Sequence, residues 1–265
     1  MMDHHIHTFH SPDASKNATF LRYADIAKEK GLSALTFTEH VDFDCPTPLF
    51  HQIPDFYAYH RMLQAAQNET DIKLYMGVEL GYQSHVKDAM TTLVKGHPFS
   101  FINLSVHYVN GLDPYSGELF EGRDQQDAYA LYLKAVYEAV TSGVPFDSLA
   151  HLDYVLRYGP FKTRTFDLDR HHVIIDRILT ALIEQDHALE VNTGSYRYTP
   201  GDHPITPILK RYHTLGGKRI TLGSDAHRVD ELGRNFPIAK ALLKACGFEE
   251  ITIIVNRQKQ QIPIK

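Results

Sequence analysis

Seven short apolar runs, rich in β-branched residues, recur along this 265-residue chain and are separated by longer stretches with helical periodicity. The runs are "DHHIH" (3–7), "ALTFT" (34–38), "KLYMGVE" (73–79), "FINLSV" (101–106), "DSLAH" (147–151), "ALEVN" (188–192) and "RITLGS" (219–224). Between them lie amphipathic stretches, among them Phe20–Lys30, Gln125–Ser142, Asp169–Gln185 and Val229–Cys246. In the third of these, Val173, Ile174, Ile178, Leu179, Leu182 and Ile183 are expected on one stripe. Alternation of this kind predicts parallel strands joined by crossover helices. Seven units predict an α/β fold, a TIM-barrel-like (β/α) barrel of seven strands, with an open doubly wound sheet as the alternative. No repeat, low-complexity tract or linker divides the sequence, so residues 1–265 read as one domain.

Turn-rich segments follow several of the strands, over 47–56, 108–122, 153–167 and 192–204. They are expected as loops on a functional rim. The net charge of -5 argues against a nucleic-acid or membrane surface binder. No run approaches the roughly 18 apolar residues of a membrane span, and no signal peptide is evident. The two cysteines, Cys45 and Cys246, lack metal-ligand spacing and fit a reducing, cytoplasmic setting. Histidine is the abnormal residue, with 17 copies against 5 methionines and no tryptophan.

The histidines gather where the strands end. The first run holds His5 and His7 on one face and His4 on the other. The second leads into Glu39 and His40, the third ends in Glu79, and the fourth leads to His107. The fifth gives His151 and Asp153, and the seventh gives Asp225 and His227. The sixth alone ends without a ligand type, leading instead into Asn192 and a loop holding Arg197. Parallel barrels build their sites at this end of the strands, so these positions converge. Six imidazoles and at least two carboxylates aimed at one point would be left unpartnered in a partly dry pocket. Bound cations resolve that conflict. A lone histidine carries no such meaning, and His4, His51, His60, His85, His97, His171, His172, His187, His203 and His213 are read as surface or hydrogen-bonded core residues. His10 is left between the two readings.

With "DHHIHT", "TEH", "GVE", "SVH", "HLD" and "GSDAH" in this order, the chain resembles the PHP (polymerase and histidinol phosphatase) family of metal-dependent phosphoesterases over nearly its full length. Within the family it is most like the histidinol-phosphate phosphatase branch. The resemblance implies a distorted (β/α)7 barrel, the PHP fold, with two or three divalent ions. Carried onto this sequence, the implied ligands are His5, His7, Asp13, His40, Glu79, His107, His151, Asp225 and His227. Many relatives carry histidine where this chain has Asp13; an aspartate still ligates divalent ions. Mixed imidazole and carboxylate ligands suit zinc, manganese or iron.

The implied activity is hydrolysis of L-histidinol phosphate to L-histidinol and inorganic phosphate in histidine biosynthesis, by a metal-bridging hydroxide attacking phosphorus. Three ions, three carboxylates and one hydroxide leave a surplus of about +2, which would attract a phosphate dianion. Arg157 and Arg197 are candidate phosphate contacts, because guanidinium groups match phosphate oxygens bidentately. Asp42 and Asp153, with Glu39, are candidates to protonate the leaving alkoxide or to hold metal-bound histidines. Glu118, with Glu121, is placed to recognise a substrate amine. The expected partner is a small phosphate monoester, with neither nucleic acid nor membrane; the sequence leaves the oligomeric state open. The alternatives are a PHP-type nuclease or nucleotide phosphoesterase, an amidohydrolase and a non-catalytic metal-binding domain. The amidohydrolase would need a bridging lysine on the fourth strand, where this chain leads to His107.

Overall fold

Each apolar run forms a strand in the computed structural model, which describes residues 1–198 and 203–265. The strands are β1 (Met2–Ile6), β2 (Ala34–Val41), β3 (Lys73–Gly81), β4 (Phe101–Ser105), β5 (Ser148–Leu149), β6 (Ala188–Asn192) and β7 (Ile220–Gly223). They form one sheet in chain order, with every neighbouring pair parallel. A parallel bridge between Ile6 and Ala226 brings the two outer strands together. Along that seam the His7 amide donates to Ala226 O and the Asp225 amide to His5 O, both at 2.9 Å. The barrel is nearly closed, and it closes on the histidine-rich residues themselves.

The helices are α1 (Phe20–Glu29), α2 (Phe56–Gln67), α3 (Lys87–Gly96), α4 (Gln125–Val140), α5 (Tyr154–Tyr158), α6 (Leu168–Glu184), α7 (Thr206–Thr214) and α8 (Phe236–Ala245). Side chains of Thr19, Asp55, Asp124 and Asp167 accept from first-turn amides of α1, α2, α4 and α6. Each such cap stabilises its helix by about 1 kcal/mol. Helix α6 buries Ile175, Ile178, Leu179 and Leu182 against the barrel. Its buried stripe differs from the expected one: Val173 is 60% exposed, because it lies about half a turn away from Ile175.

Three further expectations are corrected. The stretch Val229–Cys246 is not one helix but a 3-10 turn at Val229–Glu231 followed by α8. Gly233 and Asn235 between them adopt left-handed φ values of 57° and 58°, which no continuous helix accommodates. The segment 153–167 carries α5 and is not wholly loop. The expected rim loop over 192–204 begins with a 3-10 turn, and Thr199, Pro200, Gly201 and Asp202 lie outside the described residues.

An antiparallel hairpin, β8 (Glu250–Val255) and β9 (Gln258–Pro263), was not anticipated. Asn256 and Arg257 both take positive φ in its two-residue turn, the twist that matches a hairpin. The hairpin covers the barrel mouth opposite the strand C-termini. There Ile254 packs with Phe101 and Ala188, the Ile254 amide donates to His4 Nε2 at 3.0 Å, and Arg257 Nε donates to Asp147 Oδ1 at 3.1 Å.

Candidate active site

Glu79 stands at the centre of the other mouth, fully buried among five imidazoles. Its Oε2 lies 3.0 Å from His40 Nδ1, 3.2 Å from His5 Nε2 and 3.4 Å from His7 Nε2. Its Oε1 lies 2.7 Å from His151 Nε2 and 3.1 Å from His107 Nε2. Asp225 Oδ1 approaches His7 at 3.4 Å and His5 at 3.5 Å. Asp13 Oδ2 lies 3.0 Å from His227 Nε2 and 3.6 Å from His40 Nε2. All nine residues named as ligands from the sequence are thus gathered, although they span more than 220 positions.

This arrangement fits divalent ions. His5 Nε2, His7 Nε2, His40 Nδ1 and Glu79 Oε2 are buried and form no hydrogen bond among the described residues. Four buried polar atoms aimed at one point without a hydrogen bond among the described residues are the donor set that a divalent ion would take up. Overlapping trios of potential ligand atoms occur at His5, His7 and Asp225, at His5, Glu79 and His151, at His7, His40 and His227, and at His40, Asp42 and His107. The mixed nitrogen and oxygen set matches zinc, manganese or iron.

The carboxylates also set the charge of the imidazoles. Burial alone would lower His5, but Glu190, Glu79 and Asp225 raise it well above the usual histidine range. Burial is likewise overturned at His40 by Glu79 and Asp13, and at His107 by Asp42 and Glu79, which bring His107 to about 10. His7 goes the other way: burial, His227 and His40 hold it well below the usual range. Burial pushes Glu79 and Asp225 up, yet the surrounding cations win and keep both well below the usual carboxylate range.

A layer of hydrogen bonds fixes the rings. Glu190 Oε1 lies 2.7 Å from His5 Nδ1, and its Oε2 accepts from the His151 amide at 2.9 Å. Asp42 Oδ1 lies 2.8 Å from His107 Nδ1. Ser11 Oγ lies 3.2 Å from His7 Nδ1 and donates to Glu39 Oε2 at 2.6 Å, so Glu39 supports the site through Ser11. Two glycines make room for these carboxylates. A Cβ at Gly81 would strike Asp42 Oδ1, and one at Gly223 would strike Glu190 Oε1. Asp225 itself adopts a left-handed φ of 54°, a strain for a non-glycine residue on the order of 1 kcal/mol.

Above the cluster opens a cavity of about 350 Å³, lined by Asp42, Asp225, Arg157, Arg197, Asp113 and a wall of tyrosines including Tyr154, Tyr158 and Tyr198. Arg157 is buried, with Nη1 donating to Asp225 Oδ2 at 3.0 Å and Nη2 to Ser195 Oγ at 3.0 Å. Arg197 is about one-third exposed and pairs with Glu231 at 2.8 Å. Asp153 is fully buried and outside the cavity lining, with no hydrogen bond to either carboxylate oxygen among the described residues. Glu118 is exposed and also outside the lining; its Oε2 accepts from the Asp113 amide at 3.2 Å. The ten histidines read as bland stand in no ligating group among the described residues, and neither does His10, whose Nδ1 lies 3.0 Å from Thr8 Oγ1. A second cleft of about 520 Å³, lined in part by Cys45, Tyr82, His85 and Glu138, holds no ligating group either.

Sequence reasoning missed Glu190, Asn103 and Asp113. Glu190 did leave a signal: a carboxylate in the middle of the strand "ALEVN", which is buried throughout. Asn103 donates through Nδ2 to Glu190 Oε1 at 3.1 Å from an equally buried strand. Asp113 sits in a turn-rich loop where polar residues are ordinary, so nothing local distinguishes it.

Residues 3–194 match the PHP domain family. The chain belongs to that family. Among curated relatives, the histidinol-phosphatase of Lactococcus lactis is 31% identical over 98% of both chains. A probable histidinol-phosphatase of Clostridium acetobutylicum is 27% identical over 95% of this chain and 96% of its own. The crystal structure of the Lactococcus lactis histidinol phosphate phosphatase, complexed with zinc, L-histidinol and phosphate, superimposes with a TM-score of 0.89. It is 28% identical and covers 98% of both chains. The crystal structure of a histidinol phosphatase homologue from Listeria monocytogenes shares the fold with a TM-score of 0.80 at 16% identity, over 90% of this chain and 99% of that one.

Proposed function

We propose that this chain is a metal-dependent histidinol-phosphatase, a phosphoric monoester hydrolase acting on L-histidinol phosphate in cytoplasmic histidine biosynthesis. The observation that carries the reading is one cavity lined by six of the nine candidate ligands, Asp13, His40, His107, His151, Asp225 and His227, together with Arg157 and Arg197. Full-length similarity to histidinol-phosphatases supports the choice of substrate over a nucleotide. The assigned ligands are His5, His7, Asp13, His40, Glu79, His107, His151, Asp225 and His227, for two or three ions of zinc, manganese or iron.

Divalent ions held there would acidify a water molecule and offset the charge that gathers on the phosphoryl oxygens. The chain's own residues do the rest. Arg197, on the rim and tied to Glu231 by a partly exposed ion pair, can exchange Glu231 for a phosphate oxygen. Arg157 holds Asp225 from the cavity wall and presents its guanidinium to the same side. Asp42 and Glu190 orient His107 and His5 by accepting from Nδ1, which would leave Nε2 of each ring available to hold a divalent ion. Asp42 also lines the cavity, within reach of a leaving alkoxide. We assign Asp153 a different place from the one its sequence position suggested: it is buried outside the cavity lining, near enough to Arg157 to favour that residue's charge, with Asp225 the larger influence. Glu118 braces the Asp113 turn and does not face substrate.

The test is phosphate release by the purified, zinc- or manganese-loaded protein from L-histidinol phosphate, a nucleoside monophosphate and single-stranded DNA. Preference for histidinol phosphate, abolished in His107→Ala, is the expected result. Preference for either nucleotide substrate would overturn the proposal.

A further inference from the structure

Four carboxylates line the cavity: Asp13, Asp42, Asp113 and Asp225. Three already face cations of the chain. Asp13 meets His227 and His40, Asp42 meets His107, and Asp225 meets Arg157. Asp113 alone has no ion-pair partner among the described residues, although it is only 8% exposed. A buried carboxylate without a cation is costly unless something brings one.

The loop that carries Asp113 is built to hold it still. Its Oδ1 accepts from the Tyr115 amide at 2.7 Å, its backbone N–H donates to Glu118 Oε2 at 3.2 Å, and its carbonyl accepts from Ser116 Oγ at 3.2 Å. The loop's own amides thereby hold the carboxylate at the cavity wall. Beside it the rings of Tyr115, Tyr158 and Tyr198 form a chain of edge contacts, with centroids 5.2 and 5.5 Å apart, and Tyr154 packs on Tyr158 at 5.1 Å. Aromatic faces next to a carboxylate are a recurrent environment for an organic cation.

We propose that Asp113 and this tyrosine wall form the subsite for the cationic tail of the substrate, selecting phosphate monoesters of amino alcohols over esters with neutral tails. The inference rests on the proposed function for the identity of the ester, and deepens it by naming the specificity residue. The phosphoryl group goes to the histidine and carboxylate cluster and the arginines; the ammonium goes to the Asp113 carboxylate. The acidic residue expected for this task from the sequence, Glu118, acts one step removed.

Asp113→Asn is the informative variant, since its amide oxygen can still accept from the Tyr115 amide and preserve the turn. Steady-state kinetics would be measured on L-histidinol phosphate, 3-aminopropyl phosphate and propyl phosphate, for the wild type, Asp113→Asn and Asp113→Glu. We expect Asp113→Asn to lose about 10- to 100-fold in kcat/KM on both aminated esters relative to its change on propyl phosphate, the worth of one charge-assisted hydrogen bond. Asp113→Glu should recover part of the loss. An equal loss on all three esters, or no loss on any, overturns the inference. If the wild type ignores L-histidinol phosphate but prefers 3-aminopropyl to propyl phosphate through Asp113, the proposed substrate falls and the cation subsite stands.

Discussion

His107 is held between two carboxylates, with Nδ1 2.8 Å from Asp42 Oδ1 and Nε2 3.1 Å from Glu79 Oε1. With Asp42 accepting the Nδ1 proton, the neutral ring offers its lone pair at Nε2, on the side of Glu79. Asp42→Asn keeps the shape but offers either a weaker acceptor or a competing N–H. We predict a 10- to 100-fold loss of metal affinity, of the order found when such outer partners are removed, with a parallel fall in kcat. Competition with a chromophoric chelator measures the first and phosphate release the second. Gly81→Ala should act in the same direction by pushing the Asp42 carboxylate aside.

Metal binding and protonation compete at this site. In the absence of cations, the neighbouring carboxylates raise His5, His40 and His107 above the usual histidine range, so these rings carry protons at pH 7. A ligating nitrogen must give up its proton. Loading the chelated protein with zinc at pH 7 should therefore release protons, and apparent affinity should fall as pH is lowered. Titration calorimetry in two buffers of different ionisation enthalpy would give the proton count; identical heats in both would contradict the protonation states inferred here.

Arg157 and Asp225 form a buried pair at 3.0 Å, with side chains 6% and 10% exposed. Removing one partner of such a pair typically costs about 3–5 kcal/mol, because the other charge is left uncompensated. Asp225 also faces the ligating cluster, so a bound divalent ion would compensate it. Arg157→Met should then be strongly destabilised when chelated and markedly less so when loaded with zinc. Thermal denaturation of both proteins in both states checks this, and equal Tm losses in the two states would count against Asp225 as a ligand.

The strands and the gathering of histidines were legible because both signals are local. An apolar run needs only its own residues to declare a buried strand, and a ligand at a strand end inherits its direction from the alternation of that strand. Glu190 was not legible in that way: its meaning comes from His5, 185 positions away, and the barrel must close before the two meet. Asp113 is similar, since being the unpaired carboxylate is a property of the cavity and not of its loop. The stripe on α6 was misplaced at Val173 because a helix rich in apolar residues supports more than one face, and contact with the barrel decides which is buried. The C-terminal hairpin escaped because "QKQQIP" alternates polar and half-buried positions without an apolar run, and its left-handed Asn256 and Arg257 replace the glycine that marks such turns.

His4 ties that hairpin to the barrel and gives stability a dependence on pH. The ring is buried, its Nε2 accepts from the Ile254 amide at 3.0 Å, and burial lowers its pKa from 6.5 to about 4. A depressed histidine binds fewer protons in the folded state than in the unfolded one, so the stabilisation is complete above pH 6.5 and is lost as pH falls from there to about 4. At pH 5 the unfolded chain holds this proton while the folded protein does not, a penalty of about 2 kcal/mol relative to pH 7.5. His4→Gln can still accept from Ile254 and has no proton to gain. Its drop in unfolding free energy between pH 7.5 and pH 5 should be smaller than that of the wild type by that amount, with the titration of the clustered ligands common to both proteins. Urea denaturation of the two chelated proteins at the two pH values measures the difference, and parallel drops would show that His4 accepts a proton in the folded state.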